Sequence, residues 1–321
     1  MLEVLVDNKN GNIWDISGIV SDLSWNTARI GKAGKLDMTI IDRGIYQDKA
    51  FTLKNGDIVA VRKGKTYVFY GYIFSIDRKQ DEAVSVTCYD QIRYLLNQDK
   101  ILLANVTASD VLKKIANKYN LRLGHVEDTS IRIPTFLQEG TLLDMICTAL
   151  TRTLMGGGKN YFLLDENGSL SLRASEDHLL DFIIGDQSLM TGYSSKYSID
   201  SNTYNQIVFY RDDQNTGKRI EYPIQDGATI DQWGLLKLYE SVDEKLSDAE
   251  IKNMLDTYLF IKNREQKSLK VEAIGDIRVR AGYYARILIE HLGINQPYII
   301  NECTHKFSDN QHTMSLDLRV I

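Results

Sequence analysis

Two stretches of this chain, residues 35–90 and 268–321, run through the same succession of features, and that succession restricts the fold more than any single motif does. Each begins with an alternating strand, Leu36-Asp37-Met38-Thr39-Ile40 in the first and Leu269-Lys270-Val271-Glu272-Ala273 in the second. Alternation with period two buries one face of a strand and wets the other. A glycine turn then enters a second strand, Gly56-Asp57-Ile58-Val59-Ala60-Val61 or Gly282-Tyr283-Tyr284-Ala285-Arg286-Ile287. A hairpin strand follows from Tyr67-Val68 or Tyr298-Ile299, and the unit closes on Val84-Ser85-Val86-Thr87 or Met314-Ser315-Leu316-Asp317-Leu318. The pattern predicts two similar β-barrels in one chain. Three such chains in a closed ring would present six barrels, able to abut a hexamer at one end and a trimer at the other.

The 321 residues leave room for more than these two modules. Asn8-Lys9-Asn10-Gly11, Lys54-Asn55-Gly56-Asp57, Lys63-Gly64-Lys65 and Arg78-Lys79-Gln80-Asp81 are turn-forming, and the short strands between them suit a sandwich or barrel. The period then becomes helical. Thr107 with Asp110 caps a helix whose apolar face is Val111, Leu112, Ile115, Ala116 and Tyr119. Thr141 with Asp144 starts another, with Leu142, Leu143, Ile146, Ala149, Leu150 and Leu154 as its buried stripe. Asp165-Glu166-Asn167-Gly168 turns a hairpin. Later, Ser247 and Glu250 form a capping box ahead of Ile251, Met254, Leu255, Tyr258 and Leu259. The expected class is mainly β with α/β inserts (α+β). Residues 1–97 form a first β-barrel, 98–186 a small α/β insert, and 187–321 a second barrel with a helical insert at about 243–265.

Composition and motifs exclude several functions. With 43% apolar and 25% charged residues the chain is not disordered, and a formal net charge of −5 with interspersed signs disfavours nucleic-acid binding. Cys88, Cys147 and Cys303 form no C-x-x-C pair, which fits reduced thiols. The N-terminus carries acid where a signal peptide needs base, and the apolar run at 67–74 is too short to span a bilayer. Gly156-Gly157-Gly158-Lys159 departs from the phosphate-loop pattern at Thr153 and Asn160. His125, His178, His291, His305 and His312 lack ligand spacing, although His305 and His312 flank a hairpin turn and face each other across two strands. No nucleophile elbow occurs, Cys147 sits in a helix stripe, and the doublets Glu176-Asp177, Asp212-Asp213 and Asp243-Glu244 read as loop acids. No catalytic, cofactor-binding or metal residue is assigned, so the expectation is a non-enzyme without a cofactor.

Aromatic residues are in excess, with 18 tyrosines beside nine phenylalanines. The strand at 67–74 is apolar on both faces, with Tyr67, Phe69 and Ile73 on one and Tyr70, Tyr72 and Phe74 on the other. Either the chain's own insert covers it or one face lies in a subunit interface, where tyrosine is favoured. Tyr283 and Tyr284 invite the same two readings. Tyr67, Phe69, Tyr70, Tyr72, Phe74, Tyr283 and Tyr284 are therefore the candidate subunit or partner interface.

Further sequence blocks carry a family likeness. They are Val20-Ser21-Asp22-Leu23-Ser24-Trp25, Asn55-Gly56-Asp57, Arg93-Tyr94-Leu95-Leu96, Thr107-Ala108-Ser109-Asp110-Val111, Gly275-Asp276, Ala281-Gly282, and Thr304-His305-Lys306-Phe307 followed by Thr313-Met314-Ser315-Leu316. On these the chain resembles, over nearly its whole length, the baseplate hub proteins of contractile phage tails found in defective prophages of Gram-positive bacteria (XkdQ-type), related to the late control D group. The resemblance implies a homotrimeric ring with two tail-tube-like barrels per subunit, joining the hexameric tail tube to the central spike. It also implies inserts that lie outside the ring and meet other baseplate proteins. The setting would be the virion baseplate, a bacteriocin or another contractile injection particle, assembled in the bacterial host cytoplasm. DNA would be only a non-adhering cargo of the channel, which a negative net charge suits. The segment from Ser109 to Tyr119 also resembles the first helix of a LysM peptidoglycan-binding module, so a tail-associated wall-binding or wall-degrading protein is the alternative.

Overall fold

In the computed structural model, which describes residues 2–41, 48, 50–78, 80, 82–212, 217–244, 246–308 and 311–319, the N-terminal region is a run of strands. These are β1 (Leu2–Asp7), β2 (Ile13–Asp15), β3 (Val20–Ala28), β4 (Lys35–Ile41), β5 (Ile58–Lys63), β6 (Thr66–Arg78) and β7 (Ala83–Tyr89). The alternation acts as expected. Leu23 and Trp25 of β3, Leu36, Met38 and Ile40 of β4, Val59 and Val61 of β5, and Val84, Val86 and Cys88 of β7 share one buried core. Gly56 and Gly64 take φ of +90° and +62° at the turns, a region that a Cβ disfavours. Of the turn expected at 78–81, Lys79 and Asp81 lie outside the described residues.

The insert begins with β8 (Gln98–Val106), α1 (Ala108–Lys118) and β9 (Leu123–Val126), and continues with β10 (Ile133–Thr141), α2 (Leu142–Met155), β11 (Tyr161–Asp165) and β12 (Leu170–Ala174). The Thr107 hydroxyl accepts the Asp110 N–H at 3.1 Å while the Asp110 carboxylate accepts the Thr107 N–H at 3.0 Å, so α1 has its capping box. Thr141 caps α2 from the Asp144 N–H at 3.1 Å. Val111, Leu112 and Ile115 of α1 meet Leu142, Leu143, Met145, Ile146 and Ala149 of α2 over Phe136, Leu170 and Leu172 in a second core. Leu154, expected in the stripe, is instead 48% exposed, because α2 ends at Met155 and the glycine run turns the chain with Gly157 at φ +87°. The strands β13 (Leu179–Gly185) and β14 (Met190–Ser198) follow.

The chain has two compact units, Met1–Tyr193 with Lys270–Ile321, and Ser194–Leu269. The second holds β15 (Gln206–Asp212), β16 (Arg219–Gln225), α3 (Gly227–Trp233), β17 (Lys237–Ser241) and α4 (Asp248–Lys262). β15, which the sequence places in the second barrel, instead pairs antiparallel with β16 and parallel with β17. Its Ile207 and Phe209 are buried against Ile251 and Leu255 of α4, which carries the expected capping box at Ser247 and Glu250. Asp213 of the acidic doublet lies outside the described residues.

The chain returns with β18 (Gln266–Ile274), β19 (Tyr284–Ile289), β20 (Ile294–Ser308) and β21 (Gln311–Arg319); Val320 and Ile321, which end the second repeated stretch, lie outside the described residues. The repeat is present in the pairing. In the first module β4, β7, β6 and β5 are successive neighbours; in the second, β18, β21, β20 and β19 are. The agreement reaches single bonds. The Gly56 N–H donates to the Ile73 carbonyl at 2.7 Å and the Ile73 N–H to Asp57 at 2.9 Å; Gly282 and Ile300 do the same at 2.8 Å, with Ile300 donating to Tyr283 at 2.9 Å. Each long strand then slips by one residue, between Ile73 and Ser75 in β6 and between Ile300 and Glu302 in β20.

No closed barrel forms among the described residues, which corrects the expectation of two barrels. The strand order β14-β18-β21-β20-β3-β4-β7-β6-β5-β1-β2, with β19 beside β20 and β13 beside β19, makes one thirteen-stranded sheet. The two modules are continuous because β20 is long. One edge of it holds β19 along residues 294–299 and β3 along 302–308. Among the described residues no helix is long and apolar enough to cross a membrane.

Candidate assembly surface

The aromatic strand is β6. The β5–β6 pairing slips by one residue at Val68, so Val68 and Phe69 both turn inward and are only 5% and 4% exposed. Tyr67 is 43% exposed, with the Arg62 guanidinium 5.8 Å from its ring. On the outer face the Tyr72 ring meets Tyr70 and Tyr94 edge-on at 6.4 and 5.5 Å. Phe74 packs on Tyr89 at 5.5 Å and lies under the Arg93 guanidinium at 5.2 Å. Tyr70 covers the β11–β12 turn so closely that a Cβ on Gly168 would lie 2.6 Å from its ring. Tyr283 stacks on His178 at 4.8 Å and meets Phe162 edge-on at 5.9 Å, and half-buried Tyr284 has burial raising its phenol pKa. The structure thus brings Tyr70, Tyr72 and Phe74 together under Tyr94 and the insert, sets Tyr283 apart against Phe162, puts Phe69 in the core, and leaves Tyr67 open.

A polar knot that the sequence did not single out lies where the two modules and the insert meet. Buried Asp90 accepts the Gly34 N–H at 2.9 Å and the Ile92 N–H at 3.0 Å. Burial, helped by the neighbouring Asp165 charge, holds its pKa well above the usual carboxylate range. Asp165 accepts the Gly168 N–H at 2.6 Å and the Gln91 N–H at 3.3 Å, and burial pushes its pKa up to about 6. Arg280 donates to the Asp165 carbonyl at 2.9 Å and lies 5.3 Å from the Trp25 ring. The sequence signal for this knot is thin: a lone acid following β7 and another opening a turn.

Several of the family-like blocks hold turns and joints of the frame. The Asp57 carboxylate receives the Asn8 side chain at 2.6 Å and the Lys54 N–H at 2.9 Å, holding the Asn55-Gly56-Asp57 turn. The Ala281 N–H donates to the Thr27 hydroxyl at 3.1 Å, and a Cβ on Gly282 would lie 2.2 Å from the Phe162 ring. A Cβ on Gly275 would lie 2.1 Å from the His312 ring. Trp25 stacks on His305 at 5.1 Å across the β3–β20 joint.

His305 and His312 face each other as the sequence anticipates. His305 Nε2 lies 2.8 Å from the Val279 carbonyl, so it carries the proton and donates. His305 Nδ1 must then accept from His312 Nε2 at 2.9 Å, which leaves the buried His312 Nδ1 as a bare acceptor without a partner. Burial pushes both imidazoles down to about 4. Among the described residues no group of three His, Cys, Asp or Glu gathers as a metal site.

The model of the YqbQ-like family matches residues 23–319. Over 274 residues the chain is 29% identical to the phage-like element PBSX protein XkdQ of Bacillus subtilis (strain 168), covering 84% of this chain and 82% of that protein. Its fold matches the 43 kDa tail protein of prophage MuSo2 from Shewanella oneidensis with a TM-score of 0.70 at 12% identity, over 99% of this chain and 98% of the other. It also matches the E. coli c3393 protein, a component of the type VI secretion system with structural similarity to the T4 tail proteins gp27 and gp5, with a TM-score of 0.55 at 12% identity over 100% and 77%. The two solved neighbours, a prophage tail protein and a secretion-system component, are alike to this chain in fold. With the match running from the first module through to the last strand, this chain belongs to the YqbQ-like family.

Proposed function

We propose that this protein is the structural hub of a contractile-tail baseplate. Three copies form a ring of six β modules, near sixfold where the hexameric tail tube docks and threefold where the central spike is seated. The observation that carries this reading is the duplicated module, which shares its strand order, its glycine contact and its bulge between β4–β7 and β18–β21. Two like modules per chain let a threefold object present six like surfaces. In this reading residues 1–97 and, within 187–321, β14 and β18–β21 are the tube-facing modules, and the closed tube-like barrels arise only between copies. The insert at 98–186 and the helical segment at 243–265 meet other baseplate proteins. Exposed Tyr67 belongs to a contact with a partner, whereas the remaining aromatic candidates support the frame around it.

The duplicated sheet gives such a protein a binding and spacing role, with DNA only passing through. Light scattering of the full chain, alone at high concentration and mixed with its spike partner, is expected to report a trimer, and low-resolution images a ring. A stable monomer under both conditions overturns the reading. Incubation with peptidoglycan is expected to leave the wall intact; clearing that disappears on changing one acid would put a wall-degrading protein in its place.

A further inference from the structure

We propose that the cleft between the β3–β4 link, α2 and β11 binds the C-terminal end of a partner protein, with the terminal carboxylate on Arg29 and Arg319 and an apolar last side chain against α2. The cavity has a volume of about 260 Å³ and lies inside the compact unit of residues 1–193 and 270–321, so it is complete in one copy and needs no ring. Its charge has one sign. Arg29, Lys32 and Arg319 line it, and no aspartate or glutamate does. Lys32 is neutralised by Glu302, but none of the ion pairs among the described residues involves Arg29 or Arg319. Glu176, which accepts the Asn160 N–H at 3.0 Å, does not reach the lining.

Arg29 is half-buried and incompletely bonded. Its Nη1 donates to Asn160 Oδ1 at 3.3 Å, while its buried Nε has no hydrogen-bond partner. Burial and the Arg319 charge lower its pKa, and a bound anion relieves both. An unmet buried donor on a charged group is costly, and a carboxylate that accepts from a guanidinium is among the stronger pairings. The remaining lining is mainly apolar, with Leu143, Leu150, Leu163 and Ile299 as walls. Ile30 and Leu154 also line it, each 48% exposed, so an occupant would cover the leucine that the helix stripe leaves in water. Charge complementarity selects an anion, and the walls select an apolar group beside it. An aspartate or glutamate within a chain has the charge without that group, whereas an apolar residue at a chain end carries both on one Cα. The cavity admits one or two such side chains and is too small for a helix.

Cys147 reports occupancy. It lines the cavity and is half-buried, whereas Cys88 and Cys303 are buried, so iodoacetamide alkylation of the folded full chain reads Cys147. The probes are N-acetylated tetrapeptides ending in leucine, isoleucine, valine, methionine or phenylalanine with a free carboxylate, the same peptides as C-terminal amides, and octanoate, each at millimolar concentration. At least one free-carboxylate peptide is expected to slow alkylation at least about fivefold and its amide less than about twofold, since the charge-assisted bonds are lost in the amide. Calorimetry is expected to show that peptide bound at least about tenfold more weakly by Arg29→Gln and by Leu154→Glu. Leu154→Glu changes an exposed position, so thermal melts like those of the unmodified chain are expected and its loss of binding is not a loss of fold. No protection by any peptide, equal protection by acid and amide, or unchanged affinity in both variants overturns the site. Octanoate protecting as well as the best peptide overturns the partner protein and puts a fatty acid in its place. These readouts are the same for a monomer and an assembly, so their failure and that of the hub reading are separate results.

Discussion

Acidification between pH 6.5 and 4 is expected to weaken the fold through His305, and the slope of that loss can be worked out beforehand. His305 has no exposed surface, and burial lowers its pKa from 6.5 to about 4, with the bond to the Val279 carbonyl opposing the shift. The unfolded chain therefore takes up a proton near pH 6.5 while the folded chain does so only near pH 4, so stability present above 6.5 is lost as pH falls through this window. Each pH unit inside the window costs about 1.4 kcal/mol, or about 2 kcal/mol on going from pH 7 to pH 5. His312 is lowered in the same direction by burial and by His305, but water reaches it, so its share is smaller. In His305→Gln the side-chain amide still donates to Val279 but does not titrate. Urea unfolding of both proteins at several pH values, followed by tryptophan fluorescence, to which Trp25 stacked on His305 contributes, reads the difference. The unmodified protein is expected to lose about 2 kcal/mol more than the variant between pH 7 and 5, whatever the variant's stability at pH 7. Parallel pH profiles would refute burial of a neutral imidazole as the cause.

Asp165 shifts the opposite way: its carboxyl is pushed from 3.8 up to about 6, so stability falls as pH rises through that interval. Asp165→Asn is expected to flatten the loss of stability with rising pH across that interval, measured by the same urea series, and an unchanged slope would refute it. A Cβ on Gly71 would lie 2.3 Å from the Tyr89 carbonyl oxygen, whereas one on Gly18 meets nothing within 4 Å. Gly71→Ala should therefore lower stability by about 1–3 kcal/mol and Gly18→Ala by no more than about 0.5 kcal/mol in thermal melts, and equal melts would contradict the close approach. Phe69→Ala should lose about 3–5 kcal/mol by emptying core volume, while exposed Tyr67→Ala stays within about 0.5 kcal/mol. If Tyr67→Ala also assembles like the unmodified chain by light scattering, Tyr67 has no place in an interface.

The sequence revealed local order well and long-range neighbours poorly. Alternation marked Leu36, Met38 and Ile40, and again Leu269, Val271 and Ala273, as inward faces, and all are buried. The capping pairs at Thr107, Thr141 and Ser247 placed three helix starts because cap and first turn are adjacent in sequence. Alternation says which face of a strand is buried but not which strand lies beside it, so the pairing of 22–28 with 302–308, and with it the continuous sheet, was illegible. The same limit hid β8 and β10. Their Leu102 and Leu137 are directly opposite each other yet 68% and 51% exposed, so no clean inside and outside marks the ribbon. At the candidate surface, the sequence identified an aromatic strand that neither face could expose cheaply. It did not distinguish Phe69 from Tyr67, because the slip at Val68 that separates their fates is a property of pairing with β5.

The loops show how a repeated frame carries unlike additions. In the first module the link from β3 to β4 is only residues 29–34. The equivalent link in the second module, from β14 to β18, carries nearly the whole compact unit Ser194–Leu269. Hairpin ends already lie close together, so lengthening a loop there adds only about 0.6 kcal/mol of closure entropy per doubling. A whole unit placed at that point leaves the pairings of β18, β21, β20 and β19 as they are in the first module. Duplication thus preserves the hydrogen-bonded frame, where a register slip would turn every inward side chain outward. Divergence is confined to the connections, where length is cheap. The ring of three proposed above would have six like frames but only three copies of each added unit. If the hub reading holds, deleting residues 199–265 and joining the ends with a short glycine-serine link leaves the assembly number by light scattering unchanged while removing binding to the partner proposed for that unit. A shortened chain that folds, as judged by fluorescence of its remaining tryptophans Trp14 and Trp25, but no longer assembles would show that assembly depends on the added unit and not on the repeated frame.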